Sequence, residues 1–348
     1  MTDSQAASSA LPITEASRVG EARRTASALA RLLGFDETDC GKAALLATEV
    51  ATNLLKHGRG GLLLLRVGER GPRAALEVLA LDKGPGMADV AHCLQDGYST
   101  AGSPGNGLGA IGRLCATFQI DSRPGVGTAL LAQLLPGSSP ARSAPSPSLE
   151  IGAVNVAVAG EQECGDTWAV RQREGRTLLL VADGLGHGPQ AAEAALAAVR
   201  VFRDRAELGP ADTIRAAHDA LRSTRGAAIA VAEVDPPRGE VRFAGLGNIS
   251  GGVFPRDAGR PHSMVSHNGT AGHELRKVQE FTYPWAAGST LILHSDGVAT
   301  HWRPDRYPGL LTRHPALIAG ILFRDFNRGR DDATVLVARD RQEGTPTG

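Results

Sequence analysis

Aromatic residues are scarce in this chain: 4% of 348 residues, with Trp 3 and Tyr 3. That removes the stacking platforms on which single-stranded nucleic acids are usually held. An excess charge of either sign is missing too, since Lys+Arg is 37 and Asp+Glu is 37. A neutral chain lacks the basic footprint of a general nucleic-acid binder, so no nucleic-acid partner is expected. The four cysteines (Cys40, Cys93, Cys115, Cys164) form no CxxC pair. This argues against a disulfide frame or a zinc site and for reduced thiols. No apolar run approaches the roughly 18 residues of a membrane span. The opening MTDSQAASSA lacks the basic start and apolar run of a signal peptide. A soluble, cytoplasmic protein with no membrane association is expected. What is present is ordinary globular usage, hydrophobic 42% and charged 21%, which excludes wholesale disorder. Gly 43 and Pro 20 promise many turns, some of which can be phosphate loops.

The length suits two domains, and composition shows where they divide. From Pro136 to Pro147 the chain reads PGSSPARSAPSP, which cannot bury a core and reads as a flexible linker. The expected layout is a disordered tail over 1–14, a first domain over 15–135, a linker over 136–148, a second domain over 149–340 and a tail over 341–348. In the first domain, Val19, Ala22, Ala26, Leu29, Leu32 and Leu33 predict a helix over 15–34 that Gly34 ends. Asp36 can cap a second helix running to about His57. Strand-like runs follow at 62–67, 74–81, 118–121 and 128–134, with a helix over 108–115. Helices on one face of a mainly antiparallel sheet make an α+β layout. The second domain has eight strand candidates interrupted by helical patterns at 189–206 and 210–223, each opened by a proline suited to a first turn. Many strands with few helices predict a sheet sandwich with helices outside.

Chemistry-bearing residues of the first domain begin in TEVATNLLKH. Glu49, Asn53 and His57 recur every four residues and share one helix face. Asn can give an oxygen to a magnesium ion, and Glu can orient or deprotonate a nucleophile. Taken alone, such a trio is a solvated polar face. LDKGPGMAD follows at a strand end, where Asp82 can accept from an exocyclic amine and Gly84 and Gly86 allow close backbone approach. In GYSTAGSPGNGLGAIGRL, Gly105, Gly107 and Gly109 precede a helix whose N-terminus can hold phosphates. GVGTAL opens the last strand, where Thr128 could reach a base. The order of these four elements resembles the N, G1, G2 and G3 boxes of the GHKL ATPases, and more closely the RsbT-like branch of anti-sigma-factor serine kinases. That resemblance covers about 15–135. It implies a GHKL α/β sandwich with helices on one face of a mixed sheet. It also implies ATP with Mg²⁺, Asn53 on the metal, Glu49 as base, Asp82 on adenine and the glycine loop as a lid.

In the second domain the apolar run LLLVADGLGHG ends at Asp183-Gly184, and LILHSDGVAT ends at Asp296-Gly297. RGRDDATVLVAR brings Asp331 and Asp332 to the start of a strand, and Asp166 lies in CGDTWAV. One Asp-Gly is a turn by default. Several carboxylates at strand ends without a matching cationic cluster ask for hard divalent cations. The ordered set GDTWAV, VADGLGHGPQAA, AGLGNIS, LILHSDGV and RDDATVLVA resembles the SpoIIE/RsbX branch of the PPM-type serine/threonine phosphatases, over about 149–340. It implies an αββα sandwich and two Mn²⁺ or Mg²⁺ ions. Asp183 would bridge both, the Gly184 carbonyl would bind one, and Asp296 with an Asp of the 331–332 pair would complete the site. Asp166 would lie in or next to it. By position relative to the strand, Asp331 matches the family ligand better than Asp332, and both remain candidates. His187 is a turn residue or a phosphate contact.

Together the resemblances imply opposed activities in one chain: a protein serine kinase and a protein phosphatase, both acting on a STAS-domain anti-sigma antagonist. The alternative is a phosphatase regulated by a first domain that senses ATP or binds a partner without transferring phosphate. Direct capture of a sigma factor is a third, weaker reading. The sequence leaves the STAS partner, the input signal and the oligomeric state open.

Overall fold

The computed structural model describes residues 8–70, 73–94, 107–137, 149–173, 175–256 and 259–340. The chain divides into two compact units, one within 4–146 and the other within 147–348. The expected linker and C-terminal tail fall almost wholly outside the described residues. No described helix is long and apolar enough to cross a membrane, and all four cysteines are free.

The first unit runs β1 (Ser8–Ile13), α1 (Ala16–Leu32), α2 (Glu37–Lys56), β2 (Gly61–Arg70), β3 (Arg73–Leu81), α3 (Val90–Cys93), α4 (Gly107–Leu114), β4 (Thr117–Arg123) and β5 (Gly127–Leu134). The sheet order is β1-β2-β3-β5-β4. Every pairing is antiparallel, which agrees with the mainly antiparallel sheet read from the strand runs and not with the mixed sheet that the resemblance implied. Asp36 caps α2, its Oδ1 accepting from the Asp39 N–H at 2.7 Å. The buried stripe Ala43, Leu46, Ala47, Val50, Ala51 and Leu54 lies at helical spacing. It packs with Leu63, Leu65, Val78, Ala80, Leu130 and Ala132 of the sheet. One expectation is corrected: residues 8–13 are not tail. They form an edge strand on β2, because Leu11 and Ile13 alternate inward while Pro12 points out, where a missing N–H costs nothing.

The second unit runs β6 (Leu149–Val156), β7 (Asp166–Arg173), β8 (Arg176–Gly184), α5 (Pro189–Asp204), α6 (Pro210–Ala220), β9 (Ala227–Asp235), β10 (Glu240–Leu246), β11 (Ser250–Phe254), β12 (His262–Ser263), β13 (Phe281–Pro284), β14 (Thr290–His294), α7 (Pro315–Phe326) and β15 (Ala333–Asp340). Two five-stranded sheets form, β13-β10-β9-β8-β7 and β12-β11-β14-β15-β6. Trp168, Leu179, Val181 and Phe243 of one sheet pack with Val253, Leu291, Leu293 and Leu336 of the other. On the outside, Leu178, Leu180 and Ala182 pack under Ala194, Ala195, Ala198 and Phe202 of α5 and Ile214 of α6. Alanines let α5 lie close to the sheet. The other outer layer is α7, which the sequence reading lacked. It packs on β6 and β15, so tightly that a Cβ on Gly152 would lie 1.9 Å from the Ala316 nitrogen. The result is an αββα sandwich. Both inner sheets deliver strand ends carrying aspartates.

Candidate functional site

In the first unit, Glu49 and Asn53 sit half-buried on α2 beside its buried stripe. No side-chain hydrogen bond joins either to a described residue. His57 is the exposed C-cap of α2, its N–H donating to the Asn53 carbonyl at 2.9 Å. The α2–β2 turn packs against the end of β3, because a Cβ on Gly58 would lie 2.8 Å from Asp82 Cβ. Asp82 is fixed by the backbone: its Oδ1 accepts from Gly84 N–H at 2.8 Å and Thr128 N–H at 3.2 Å. That leaves Oδ2 for a ligand. Ser122 Oγ lies 2.9 Å from Thr128 Oγ1 and accepts from the Met87 N–H at 2.8 Å. The backbones close on each other here. A Cβ on Gly127 would lie 2.0 Å from the Asp82 carbonyl oxygen, and one on Gly86 2.1 Å from that of Arg123. Asp82, Gly84, Gly86 and Thr128 are therefore one constellation. Gly107 and Gly109 do not precede α4 but form its first turn. Gly105 lies outside the described residues.

In the second unit the paired strands β7 and β8 set Asp166 directly opposite Asp183. Asp166 is buried, and its Oδ2 accepts from Ser295 Oγ at 2.5 Å. Ser295 Oγ in turn accepts from the Thr334 N–H at 2.9 Å. Asn155 Nδ2 donates to the Asp166 carbonyl at 3.1 Å and to Thr334 Oγ1 at 2.7 Å. Asp296 follows β14, and its Oδ2 accepts from Asn248 Nδ2 at 2.6 Å. Gly184 and Gly297 allow close approach that no side chain permits: a Cβ would lie 2.0 Å from the Ala191 oxygen in one case and 1.9 Å from that of Asp332 in the other.

The electrostatics of these aspartates are those of crowded like charges. Burial raises Asp183 far above the usual carboxylate range, and Asp166, Asp296 and Asp331 raise it further. Asp166 is raised by burial and by Asp332 and Asp331, against the Ser295 and Thr334 hydrogen bonds. Asp296 is raised by burial and Asp331, against Arg328 and Asn248. No salt bridge to any of the four occurs among the described residues. Asp332 differs from its neighbour. It is 2% exposed, and its two oxygens accept from Val158 N–H at 2.7 Å and Gly165 N–H at 2.6 Å. Asp331 is the member whose charge is felt by Asp183 and Asp296, while Asp332, which acts more strongly than Asp331 on Asp166, ties the β6–β7 loop down. His187 Nδ1 lies 2.6 Å from Glu161 Oε1 at the exposed rim.

A divalent-metal site fits this donor set, because several buried or half-buried carboxylates face one another with no bonded cation. The fit lies in charge and not in a preformed cage. Among the described residues no group of three His, Cys, Asp or Glu closes around a metal position. Sequence reasoning missed Ser295, Asn155, Thr334 and Asn248. Ser295 and Asn248 lie inside the quoted LILHSDGV and AGLGNIS, so proximity to the motif was the available signal.

Comparison with known proteins agrees with this division. Residues 12–134 match the family model for the histidine kinase-like ATPase domain, and residues 173–341 match that for stage II sporulation protein E, SpoIIE. The chain is 35% identical over 112 residues to serine/threonine-protein kinase RsbT of Bacillus subtilis (strain 168), covering 32% of this chain and 84% of that protein. It is 23% identical over 139 residues to phosphoserine phosphatase RsbX of the same organism, covering 40% of this chain and 69% of that one. A solved structure described as "The bacterial stressosome: a modular system that has been adapted to control secondary messenger signaling" matches at 30% identity and a TM-score of 0.51, covering 55% of this chain and 99% of that one. The second unit thus matches the SpoIIE model and is similar to phosphoserine phosphatase RsbX, and through its first unit the chain belongs to the RsbT-like histidine kinase-like ATPases.

Proposed function

We propose that the chain is a bifunctional regulator of a partner-switching pathway. Its first unit transfers the γ-phosphoryl of ATP to a serine or threonine of a STAS-domain protein, and its second unit hydrolyses that phosphoester. The observation that carries the reading is the group Asp166, Asp183, Asp296 and Asp331, gathered without a bonded cation among the described residues, beside the Ser295, Asn155 and Thr334 hydrogen bonds.

In the phosphatase unit, Asp183, the Gly184 carbonyl, Asp296 and Asp331 would hold two Mn²⁺ or Mg²⁺ ions. Such ions neutralise the repulsion among the carboxylates and supply an activated water for in-line attack on phosphorus. Asp166 orients Asp183 from behind, and Ser295 keeps Asp166 in place. Asp332 sets the height of the β6–β7 loop through its two backbone bonds. In the kinase unit, Asp82 Oδ2 would accept from the adenine amine, Asn53 would help hold Mg²⁺, and Glu49 would take the proton of the attacking hydroxyl. Among the described residues Glu49 and Asn53 have no side-chain hydrogen-bond partner, which suits groups that await a ligand.

The test separates the half-reactions. Phosphate release from a phosphoserine-bearing STAS protein is measured with Mn²⁺ and without ATP, then again after EDTA. The expected result is release that EDTA abolishes. Transfer of labelled phosphate from ATP is measured in Asp183→Asn, where nothing removes the product. ATP binding without any labelling would replace the kinase assignment with an ATP-sensing module that regulates the phosphatase.

A further inference from the structure

The β8–β9 ladder does not stop at the carboxylates. Asp183 pairs with Ala228 and Gly184 with Ala227. The Leu185 N–H then donates to the Gly226 carbonyl at 3.0 Å. One residue further, the same antiparallel register sets Gly186 opposite Arg225. The contact is direct, since a Cβ on Gly186 would lie 3.1 Å from Arg225 Nη1. The guanidinium lies along the glycine-rich turn that follows Asp183. The turn itself is held in shape: Gly186 has φ +85, which a side chain would strain. The base of Arg225 is held as well, because the Gly226 N–H donates to Thr224 Oγ1 at 3.0 Å.

Arg225 is exposed and, among the described residues, has no carboxylate partner. That is uncommon among the arginines near it, since Arg215 and Arg222 each bond an aspartate. A second cation stands on the other sheet. Arg328 is exposed, its N–H donates to the Gly297 carbonyl at 2.8 Å, and its charge lowers Asp296. It too has no carboxylate partner among the described residues. Among the described residues two guanidiniums without a carboxylate partner thus stand near the aspartate-bearing loops, one against the Gly186 turn that follows Asp183 and one whose charge reaches Asp296.

We infer that Arg225, with Arg328 on the Asp296 side, receives the phosphoryl oxygens of a phosphoserine or phosphothreonine side chain. The inference rests on the phosphatase reading above and names residues that reading does not use. A planar fork of N–H donors matches two oxygens of a phosphomonoester and holds it in one orientation. Lysine supplies the charge without the fork.

The experiment uses the full chain loaded with Mn²⁺. Wild type, Arg225→Ala, Arg225→Lys and Arg328→Ala are compared on a phosphoserine peptide, with inorganic phosphate as competitive inhibitor. Phosphate binding is also followed directly by calorimetry. Arg225→Ala should raise KM and weaken phosphate binding by roughly 10–100-fold, with Mn²⁺ affinity unchanged. Arg225→Lys should recover only part of the loss. Arg328→Ala should act in the same direction. Overturning results are KM and phosphate affinity within about twofold of wild type in Arg225→Ala, or a fall in kcat alone. If wild type releases no phosphate from the peptide, the phosphatase reading fails, and calorimetry still decides whether Arg225 binds phosphate.

Discussion

Asp183 carries the most charge conflict of any side chain in the second unit, because burial and three neighbouring carboxylates act on it together. Asp183→Asn should therefore do two opposite things. In metal-free protein it relieves repulsion and should stabilise the second unit by on the order of 1 kcal/mol. With Mn²⁺ at about a hundred times its Kd, wild type should gain about 2.7 kcal/mol and the variant little. Tryptophan fluorescence during denaturation reads this, since Trp168, Trp285 and Trp302 all lie in the second unit. An equal Mn²⁺ shift in both proteins would contradict the metal assignment. Asp183 and Asp296 were legible in the sequence because each closes an apolar strand with a glycine behind it. Which of Asp331 and Asp332 bonds the β6–β7 loop was not. Neighbours entering a strand point to opposite faces, and the face was decided by the Val158 and Gly165 N–H groups, which are distant in sequence. Thr128 was legible as part of GVGT, but its backbone bond to Asp82 Oδ1 spans 46 positions.

At the scale of elements, the edge strand β1 and the helix α7 are the longest that the sequence reading lacked, beside the short α3, β12 and β13, and they were missed for opposite reasons. β1 offers only Leu11 and Ile13 as alternating residues, next to a small-residue tail, and its partner β2 lies some fifty positions away. α7 is buried on every side from Pro315 to Arg324, so no polar stripe marks its period. The strand has a measurable worth. Ile13 is fully buried, and Ile13→Ala should destabilise the first unit by about 2–5 kcal/mol, against little for exposed Pro12→Ala. Far-ultraviolet circular dichroism in denaturant gives the comparison. Equal, small effects would mean that β1 contributes nothing to stability. Asp39 ties α2 to the end of β5: its Oδ2 accepts from the Gly137 N–H at 2.6 Å, and Lys42 Nζ bonds its Oδ1 at 2.7 Å. Lys42 first, and then Gly137, hold Asp39 below the usual carboxylate value of 3.8. A depressed folded value means stabilisation that is present above 3.8 and lost as pH falls through the folded value. Asp39→Asn should cost about 1 kcal/mol at neutral pH, and the gap to wild type should close below about pH 4. A gap that persists in acid would show that charge is not what Asp39 contributes.

At the scale of the molecule, two units with separate cores carry sites of opposite demand. One gathers glycine backbone around a fixed carboxylate, Asp82; the other gathers aspartates with no bonded cation among the described residues. Losing a positioned base costs roughly 10²–10⁴-fold in rate, so Glu49→Ala should retain ATP binding and leave the phosphatase site competent while transfer collapses. The most direct measurement is a time course of STAS-partner phosphorylation with ATP, Mg²⁺ and Mn²⁺, run on wild type, Glu49→Ala and Asp183→Asn. Asp183→Asn should accumulate phospho-partner to near completion, wild type should settle at a lower level, and Glu49→Ala should accumulate essentially none. If Asp183→Asn accumulates no phospho-partner while binding both the partner and ATP, the two activities do not reside in one chain.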